Sequence, residues 1–184
     1  MHAKHDPVLE AATRAPLSWD PELGGKRAWI CFEDEKTYDI GPDTERVRFQ
    51  EISKRMLSGH YYPKDAVVFR GKFSEEGRNL RVGDRIVQTA PLLGKLGGPK
   101  VHASAEIYIA ELEENRCKIG YVTTVLHPGR GIWTAELMRQ SGRLTLRVSS
   151  IASPNTWMFW LGLPYARYLQ LRARSRAVEE FMKV

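Results

Sequence analysis

The clearest pattern in the chain is an alternation of apolar and polar residues over 101–112. Such alternation predicts a β-strand with one covered face, as in an antiparallel sheet. One predicted face carries Val101, Ala103, Ala105, Ile107 and Ile109, and the other carries His102, Ser104, Glu106 and Tyr108. Further strands are predicted at 66–69, 82–90, 118–126, 132–140 and 143–151. Because the later connections have hairpin lengths and turn residues, these strands predict a β-meander.

Helical spacing replaces the alternation before and after the strands. Residues 43–59 predict a helix that has Asp43 as its N-cap and Gly59 just past its end. A second helix is predicted to begin at Ser153-Pro154 and to run to the end of the chain. Pro164 must kink or divide that helix, because proline lacks the N–H that a helix interior needs.

The order of these elements predicts an α+β fold in which a curved antiparallel β-meander grips a long C-terminal helix. This helix-grip arrangement often leaves an apolar cavity between helix and sheet. We assign residues 43–184 to this domain. Residues 1–42, interrupted by prolines and glycines, are predicted to form an N-terminal extension or a strand that completes the sheet.

The composition is typical of a single globular domain. The chain has 184 residues, of which 42% are hydrophobic and 27% are charged. Its longest apolar stretch, 157–163, is far shorter than the roughly 20 residues of a membrane-spanning helix, and no apolar segment follows the charged N-terminus. Its two cysteines are too few for a disulfide framework. We therefore expect a soluble cytoplasmic protein.

A net charge of +6 raises the question of an anionic partner. Most cations alternate with acids along the chain. The exception is a concentration in the predicted terminal helix, formed by Arg167, Arg172, Arg174 and Arg176. A solvated helix face is the favoured interpretation. The alternative is an interaction protein that docks on RNA or on an anionic membrane through Arg172, Arg174 and Arg176.

Segments at the C-terminal end and in one predicted hairpin resemble a known family. These segments are Ser149-Ser-Ile-Ala-Ser-Pro-Asn-Thr-Trp157, Leu161-Gly-Leu-Pro164, Tyr168-Leu-Gln-Leu-Arg172 and His127-Pro-x-Arg130-Gly131. Over about residues 38–184 they resemble a bacterial and plant family catalogued as domain of unknown function number nineteen-ninety. That resemblance implies membership of the Bet v 1-like, START-like superfamily. Its members bind sterols, lipids, polyketides or plant hormones in a central cavity, and a minority are cyclases or hydrolases.

The hairpin departs from the family pattern at three positions. The family run Gly-His-Pro-Glu-Arg-Gly-Glu-Glu has acidic residues where this chain has Gly129, Ile132 and Trp133. Any role of those carboxylates in relatives is therefore lost here, whereas His127 and Arg130 are kept.

Two pairs of polar residues are candidate catalytic groups. His127 could shuttle protons while Arg130 holds an oxyanion, but the Pro-Gly that follows His127 equally predicts a turn that the imidazole stabilises. His102 and Glu106 share one strand face, about 13 Å apart at roughly 3.3 Å per residue, so joint action needs groups from neighbouring strands. They would line a cavity if that face is concave. They would face solvent if it is convex, which is favoured because the opposite face is aliphatic.

An aromatic stripe in the predicted terminal helix is the candidate ligand-binding wall. With one residue of the facing hairpin, its members are Trp157, Trp160, Tyr165, Tyr168 and Trp133. Such a stripe is ordinary core in most proteins, but it could also contact a flat, apolar ligand. No cofactor or zinc motif occurs in the sequence. The leading hypothesis is a non-catalytic domain that binds a small apolar or lipid-like ligand, and the alternative is an enzyme of the cyclase or hydrolase type.

Overall fold

The computed structural model describes residues 6–20, 31–91, 99–154 and 163–184. Its helices are α1 (Pro7–Arg14), α2 (Val47–Leu57), α3 (Lys72–Glu75) and α4 (Leu163–Met182). Its strands are β1 (Phe32–Pro42), β2 (Val68–Gly71), β3 (Arg85–Pro91), β4 (Lys100–Leu112), β5 (Arg116–Thr123), β6 (Gly129–Gln140) and β7 (Arg143–Pro154).

The strands form one curved antiparallel sheet in the order β1-β7-β6-β5-β4-β3-β2. Strands β2 to β6 each pair with the next strand in the chain, which confirms the predicted meander. β1 pairs with β7 at the far edge, from Phe32 opposite Ala152 to Pro42 opposite Arg143. With α4 packed on it, this sheet is the predicted α+β helix grip.

The main core lies between α2, α4 and one face of the sheet, which we call the inner face. The inner face contributes alternate residues of neighbouring strands, among them Ala105, Ile107, Ile119, Tyr121, Trp133, Leu137, Leu146 and Val148. The helices contribute Phe49, Ile52, Met56, Ala177, Val178 and Phe181. The opposite side of the sheet, at the intervening positions, is the outer face.

α2 begins later than predicted, although its predicted cap is used. Arg46 precedes the helix in a left-handed conformation, with a φ of 64°, and this turn delays the first helical residue. The Asp43 carboxylate still accepts hydrogen bonds from the N–H groups of Arg48 and Phe49, each at 3.1 Å. Gly59 has a φ of 77° just past the helix end, as predicted.

Ser153 and Pro154 end β7 and do not begin a helix, so that prediction is wrong. They pair with Arg130 and Gly129 of β6 in the ladder, and this long-range pairing overrides the local helix-start signal. In the described part of the chain α4 begins at Leu163, so Pro164 is its second residue. The predicted helical residues 155–162 lie outside the described part of the chain.

A bulge in β4 reverses the predicted alternation near its end. Ile107 and Ile109 pair with adjacent residues of β5, so Tyr108 is an extra residue in the ladder. As a result Ala110 packs against the main core. Ile107 and Ile109 therefore lie on opposite faces, contrary to the prediction.

α1, which the sequence analysis did not predict, packs on the outer face against β3 and β4. Asp6 caps it by accepting hydrogen bonds from the N–H groups of Val8 and Leu9, at 3.0 and 3.3 Å. Pro7 follows as the first helical residue, where proline fits without loss of a hydrogen bond. Ala12 is buried between α1 and the sheet.

Candidate ligand-binding site

A row of cross-strand neighbours crosses the inner face at Trp133. Tyr121 lies opposite Trp133 on β5, Ser150 lies opposite it on β7, and Asp34 lies opposite Ser150 on β1. Residues directly opposite in an antiparallel pair point to the same side of the sheet. The row therefore brings two aromatic rings, a hydroxyl and a carboxylate to the inner face.

Aromatic rings pack over the centre of this row. Trp133 stacks on Tyr121, with ring centroids 5.1 Å apart and planes inclined by 19°. Tyr61, which follows α2, packs edge-on against Trp133 at 4.9 Å and against Phe181 of α4 at 5.4 Å. Tyr62 meets Tyr61 edge-on at 4.7 Å. These contacts close the inner face on the side of the α4 C-terminus.

Two buried polar atoms near these rings have no hydrogen-bond partner among the described residues: the Tyr61 hydroxyl and the Gln88 side-chain nitrogen. Gln88 lies opposite Ala103 of β4 on the inner face. Burial raises the pKa of Tyr61, and it raises that of Tyr121 to about 12. An unsatisfied buried polar group costs roughly 1–3 kcal/mol. A ligand that bonds these atoms would recover part of that cost.

Small residues occupy the inner face next to the rings. Gly131 lies two positions before Trp133, and Ala152 lies opposite Gly131 on β7. Ala105 of β4 lies in the same row, since it pairs with Thr123, which is two positions after Tyr121 on β5. The sheet therefore carries only small side chains at these inner-face positions beside the rings of Trp133 and Tyr121, and we call this strip the recess.

A buried ion pair fastens α4 to the sheet beside the rings. Arg174, which is 3% exposed, binds Asp34, and Arg167 binds the same carboxylate at 2.9 Å. Burial alone raises the pKa of Asp34, but hydrogen bonds from the two arginines lower it overall. Burial alone lowers the pKa of Arg174, and Asp34 and Tyr38 raise it above its ordinary value. Both partners are therefore ionised at neutral pH.

Residues 31–180 match the family described as a domain of unknown function, DUF1990. The chain belongs to the DUF1990 family. No curated protein matches the sequence significantly.

Solved structures show the fold of this DUF1990 protein. The structure of Ara h 8.0201 is 14% identical with a TM-score of 0.51, and the match covers 83% of this chain and 95% of that one. Hypothetical protein jhp0584 from Helicobacter pylori is 9% identical with a TM-score of 0.50, covering 99% and 94%. Norcoclaurine synthase from Thalictrum flavum is also similar, at 9% identity and a TM-score of 0.49, covering 98% and 94%. The fold is the Bet v 1-like helix grip, as the sequence resemblance implied.

The hairpin residues of the DUF1990 domain contact backbone and neighbouring strands. His127 lies in the turn before β6, with its Nδ1 3.0 Å from the nitrogen and 2.6 Å from the oxygen of Gly129. Arg130 donates to the Ser153 hydroxyl at 3.0 Å. Because Arg130 and Trp133 are three positions apart in a regular strand, Arg130 belongs to the outer face. His127 and Arg130 thus share one end of the sheet, but the guanidinium is on the far side from the row.

The strand pair His102 and Glu106 also lies on the outer face. Nδ1 of the exposed His102 is 3.0 Å from the Thr89 hydroxyl. Glu106 binds Arg85 of β3 at 2.8 Å. Each residue therefore has its own partner, and the structure does not bring the two together.

The predicted aromatic wall divides between core and surface. Trp133 is 4% exposed and belongs to the main core. Tyr165 and Tyr168 are 47% and 53% exposed, and their rings stack on each other with centroids 6.3 Å apart. Trp157 and Trp160 lie outside the described residues.

The arginines of α4 mostly bind acids of the same chain. Arg167 and Arg174 bind Asp34, and Arg176 binds Asp65 at 2.8 Å, whereas Arg172 is exposed. In the described part of the chain no helix is long and apolar enough to cross a membrane. No cluster of three or more potential metal-ligating His, Cys, Asp or Glu residues occurs within the same residues.

Tyr61, Gln88 and Asp34 were not predicted as site residues. Tyr61 carries a weak signal, because it is the first of two consecutive aromatic residues just past the helix-ending Gly59, and aromatic side chains bury large apolar areas. That signal could have identified Tyr61 as buried. Asp34 and Gln88 carry no such signal, because only the pairing of distant strands places them in the row.

We expect His127 to make stability depend on pH. Burial lowers its pKa to about 4, against the opposing effect of the Gly129 carbonyl, whereas an unfolded histidine titrates near 6.5. The unfolded chain therefore binds the proton first, and stability falls as the pH decreases from about 6.5 to 4, by up to about 3 kcal/mol. Urea unfolding of the wild type and of His127→Gln, at several pH values in that range, measures the effect. The variant should lose most of this pH dependence, and parallel curves for the two proteins would contradict the assignment.

Proposed function

We propose that this DUF1990 protein binds a small, largely apolar molecule on the inner face, in the recess beside Trp133 and Tyr121, and performs no chemistry on it. The observation that carries the proposal is the pairing of this recess with two unpartnered buried atoms, the Tyr61 hydroxyl and the Gln88 nitrogen. An apolar wall with a few convergent polar groups is the usual make-up of a ligand pocket. The chain has the Bet v 1-like fold, and the sequence resemblance implies a superfamily whose members bind lipids, sterols or hormones in a central cavity, which supports the proposal.

The charges of the inner face favour a neutral ligand. Arg174 is the buried cation nearest the rings, and it is already bound to Asp34. An anionic ligand would have to displace Asp34 from Arg174, and the Asp34 carboxylate would then keep only Arg167 as its partner. A neutral molecule requires only hydrogen bonds from Tyr61 and Gln88.

The alternative of a cyclase or hydrolase has less support. A general base must come within hydrogen-bond reach of its substrate. His127 instead has its Nδ1 against the Gly129 backbone, and burial lowers its pKa to about 4, which makes it a weak base. Arg130 lies on the outer face, away from the recess.

Titration with the neutral fluorophore N-phenyl-1-naphthylamine tests the proposal. We expect saturable binding to the wild type with an increase in fluorescence. Ala152→Phe places a ring in the recess, and we expect it to weaken binding at least about tenfold through steric overlap.

A matched control is available on the same strand. Arg147 lies on the outer face of β7 in an exposed ion pair with Glu35, so Arg147→Phe adds the same ring away from the recess. That variant should bind the fluorophore as the wild type does. Wild-type protein that shows no saturable binding, or equal binding by all three proteins, would overturn the proposal.

A further inference from the structure

A cavity that is open to solvent lies on the outer face beside α1, and Val8, Ala11, His102 and Leu126 of its lining are exposed. Its volume is about 280 Å³. It is lined by Val8 and Ala11 of α1, Val87 of β3, His102 and Ser104 of β4, and Leu126 of the turn before β6. The sheet separates this cavity from the recess on the inner face, since Val87 and Ser104 alternate with core residues.

Two arginines hold the ends of α1 on the sheet. Arg70 of β2 binds the capping Asp6 at 2.8 Å. At the other end, Arg85 of β3 donates to the carbonyl of Ala15 at 2.7 Å. Between these anchors α1 presents the small Ala11 to the cavity. These two contacts fix the position of α1 beside the cavity at both ends of the helix.

Ser104 gives this apolar cavity a specific polar group. The residue is 5% exposed, and its hydroxyl has no hydrogen-bond partner among the described residues. Its carbonyl accepts a hydrogen bond from the Thr124 N–H at 3.1 Å, which fixes its position. Buried hydroxyls are nearly always hydrogen-bonded in folded proteins. An unsatisfied one in the wall of a cavity therefore indicates a missing partner.

We infer that this cavity binds a neutral, planar molecule of about two fused rings that carries one hydrogen-bonding group. A closed cavity of about 150 Å³ holds benzene, and this cavity, although open to solvent, has nearly twice that volume. Its described lining contains no Asp, Glu, Lys or Arg, so an ionic ligand would find no counter-charge from those side chains. The hydrogen-bonding group of the ligand meets the Ser104 hydroxyl. This site is independent of the one proposed on the inner face.

Amide NMR spectra of isotope-labelled full-length protein test the site, with 2-naphthol and naphthalene as probes. We expect 2-naphthol to cause saturable shifts at Val8, Ala11 and Ser104. Ser104→Ala removes the hydrogen bond and should weaken 2-naphthol binding about three- to tenfold while naphthalene binding is unchanged. Ala11→Phe fills the cavity and should abolish the shifts caused by both probes.

Two control variants show whether the shifts come from binding in this cavity. Thr13→Phe adds a ring on the exposed side of α1 and should leave binding intact. Ala152→Phe blocks the inner recess and should also leave these shifts intact. Loss of binding at one site can therefore be distinguished from loss of binding at the other. Absence of the shifts up to the solubility limit of 2-naphthol, persistence of the shifts in Ala11→Phe, or their loss in Ala152→Phe would each overturn the inference.

Discussion

Replacing Asp34 by alanine is expected to lower the free energy of unfolding by about 3–5 kcal/mol, because it leaves the buried guanidinium of Arg174 without its carboxylate. Arg167 also loses its partner, but its side chain is 34% exposed and can turn to water. Chemical denaturation monitored by tryptophan fluorescence measures the loss. The double variant Asp34→Ala/Arg174→Met should recover at least half of it, because no uncompensated charge then remains buried.

The neighbouring residue of β1 provides the control for this experiment. Glu35 binds Arg147 at 2.7 Å, but the two side chains are 53% and 47% exposed. Glu35→Ala should therefore cost less than about 1 kcal/mol. If Asp34→Ala costs no more than Glu35→Ala, the Arg174 pair does not fasten α4 to the sheet in the way described.

Gly131→Ala is expected to be the most damaging single substitution of the hairpin, with a loss of more than about 4 kcal/mol. A Cβ at this position would lie 1.9 Å from the backbone oxygen of Ile151 and 2.8 Å from the Cα of Ala152. Neither atom can move without breaking the β6–β7 ladder, and the φ of 154° adds strain for any other residue. Denaturation midpoints and the yield of folded protein measure the effect.

The variant Gly83→Ala measures the cost of the backbone conformation alone, without the steric overlap that Gly131→Ala also creates. Gly83 also has a positive φ, of 88°, but no atom lies within 4 Å of a Cβ built there. Its replacement should cost only the conformational penalty of about 1–2 kcal/mol. Similar losses for Gly131→Ala and Gly83→Ala would show that the close approach of β6 to β7 is not as described.

The architecture could be predicted from the sequence because its signals are local. The alternation in β4 and the capping residues Asp43 and Gly59 each depend on a few neighbours in the chain. The end of β7 could not be predicted, because Ser153-Pro154 is a good local helix start and only pairing with β6 makes it strand. The bulge at Tyr108 was missed for the same reason, since a bulge is defined by the partner strand.

The positions of the candidate site residues could be predicted only where a local pattern in the sequence marks them. Trp133 was predicted to lie in the core or in the wall of a ligand cavity, and the structure places it in the middle of the row of residues on the inner face. Tyr61, Gln88 and Asp34 were not expected, because their importance comes from distant strands and helices that meet at one place. The reason for Gly131 in the hairpin motif also became visible only when β7 was seen against it.

Ligand binding on the inner face is best tested by a crystal structure of the wild-type protein with N-phenyl-1-naphthylamine bound. We expect density for the probe on the inner face against the rings of Trp133 and Tyr121, with its nitrogen within hydrogen-bond distance of Tyr61 or Gln88. Density confined to the cavity beside α1, or an inner face that stays empty at saturating probe, would contradict this expectation.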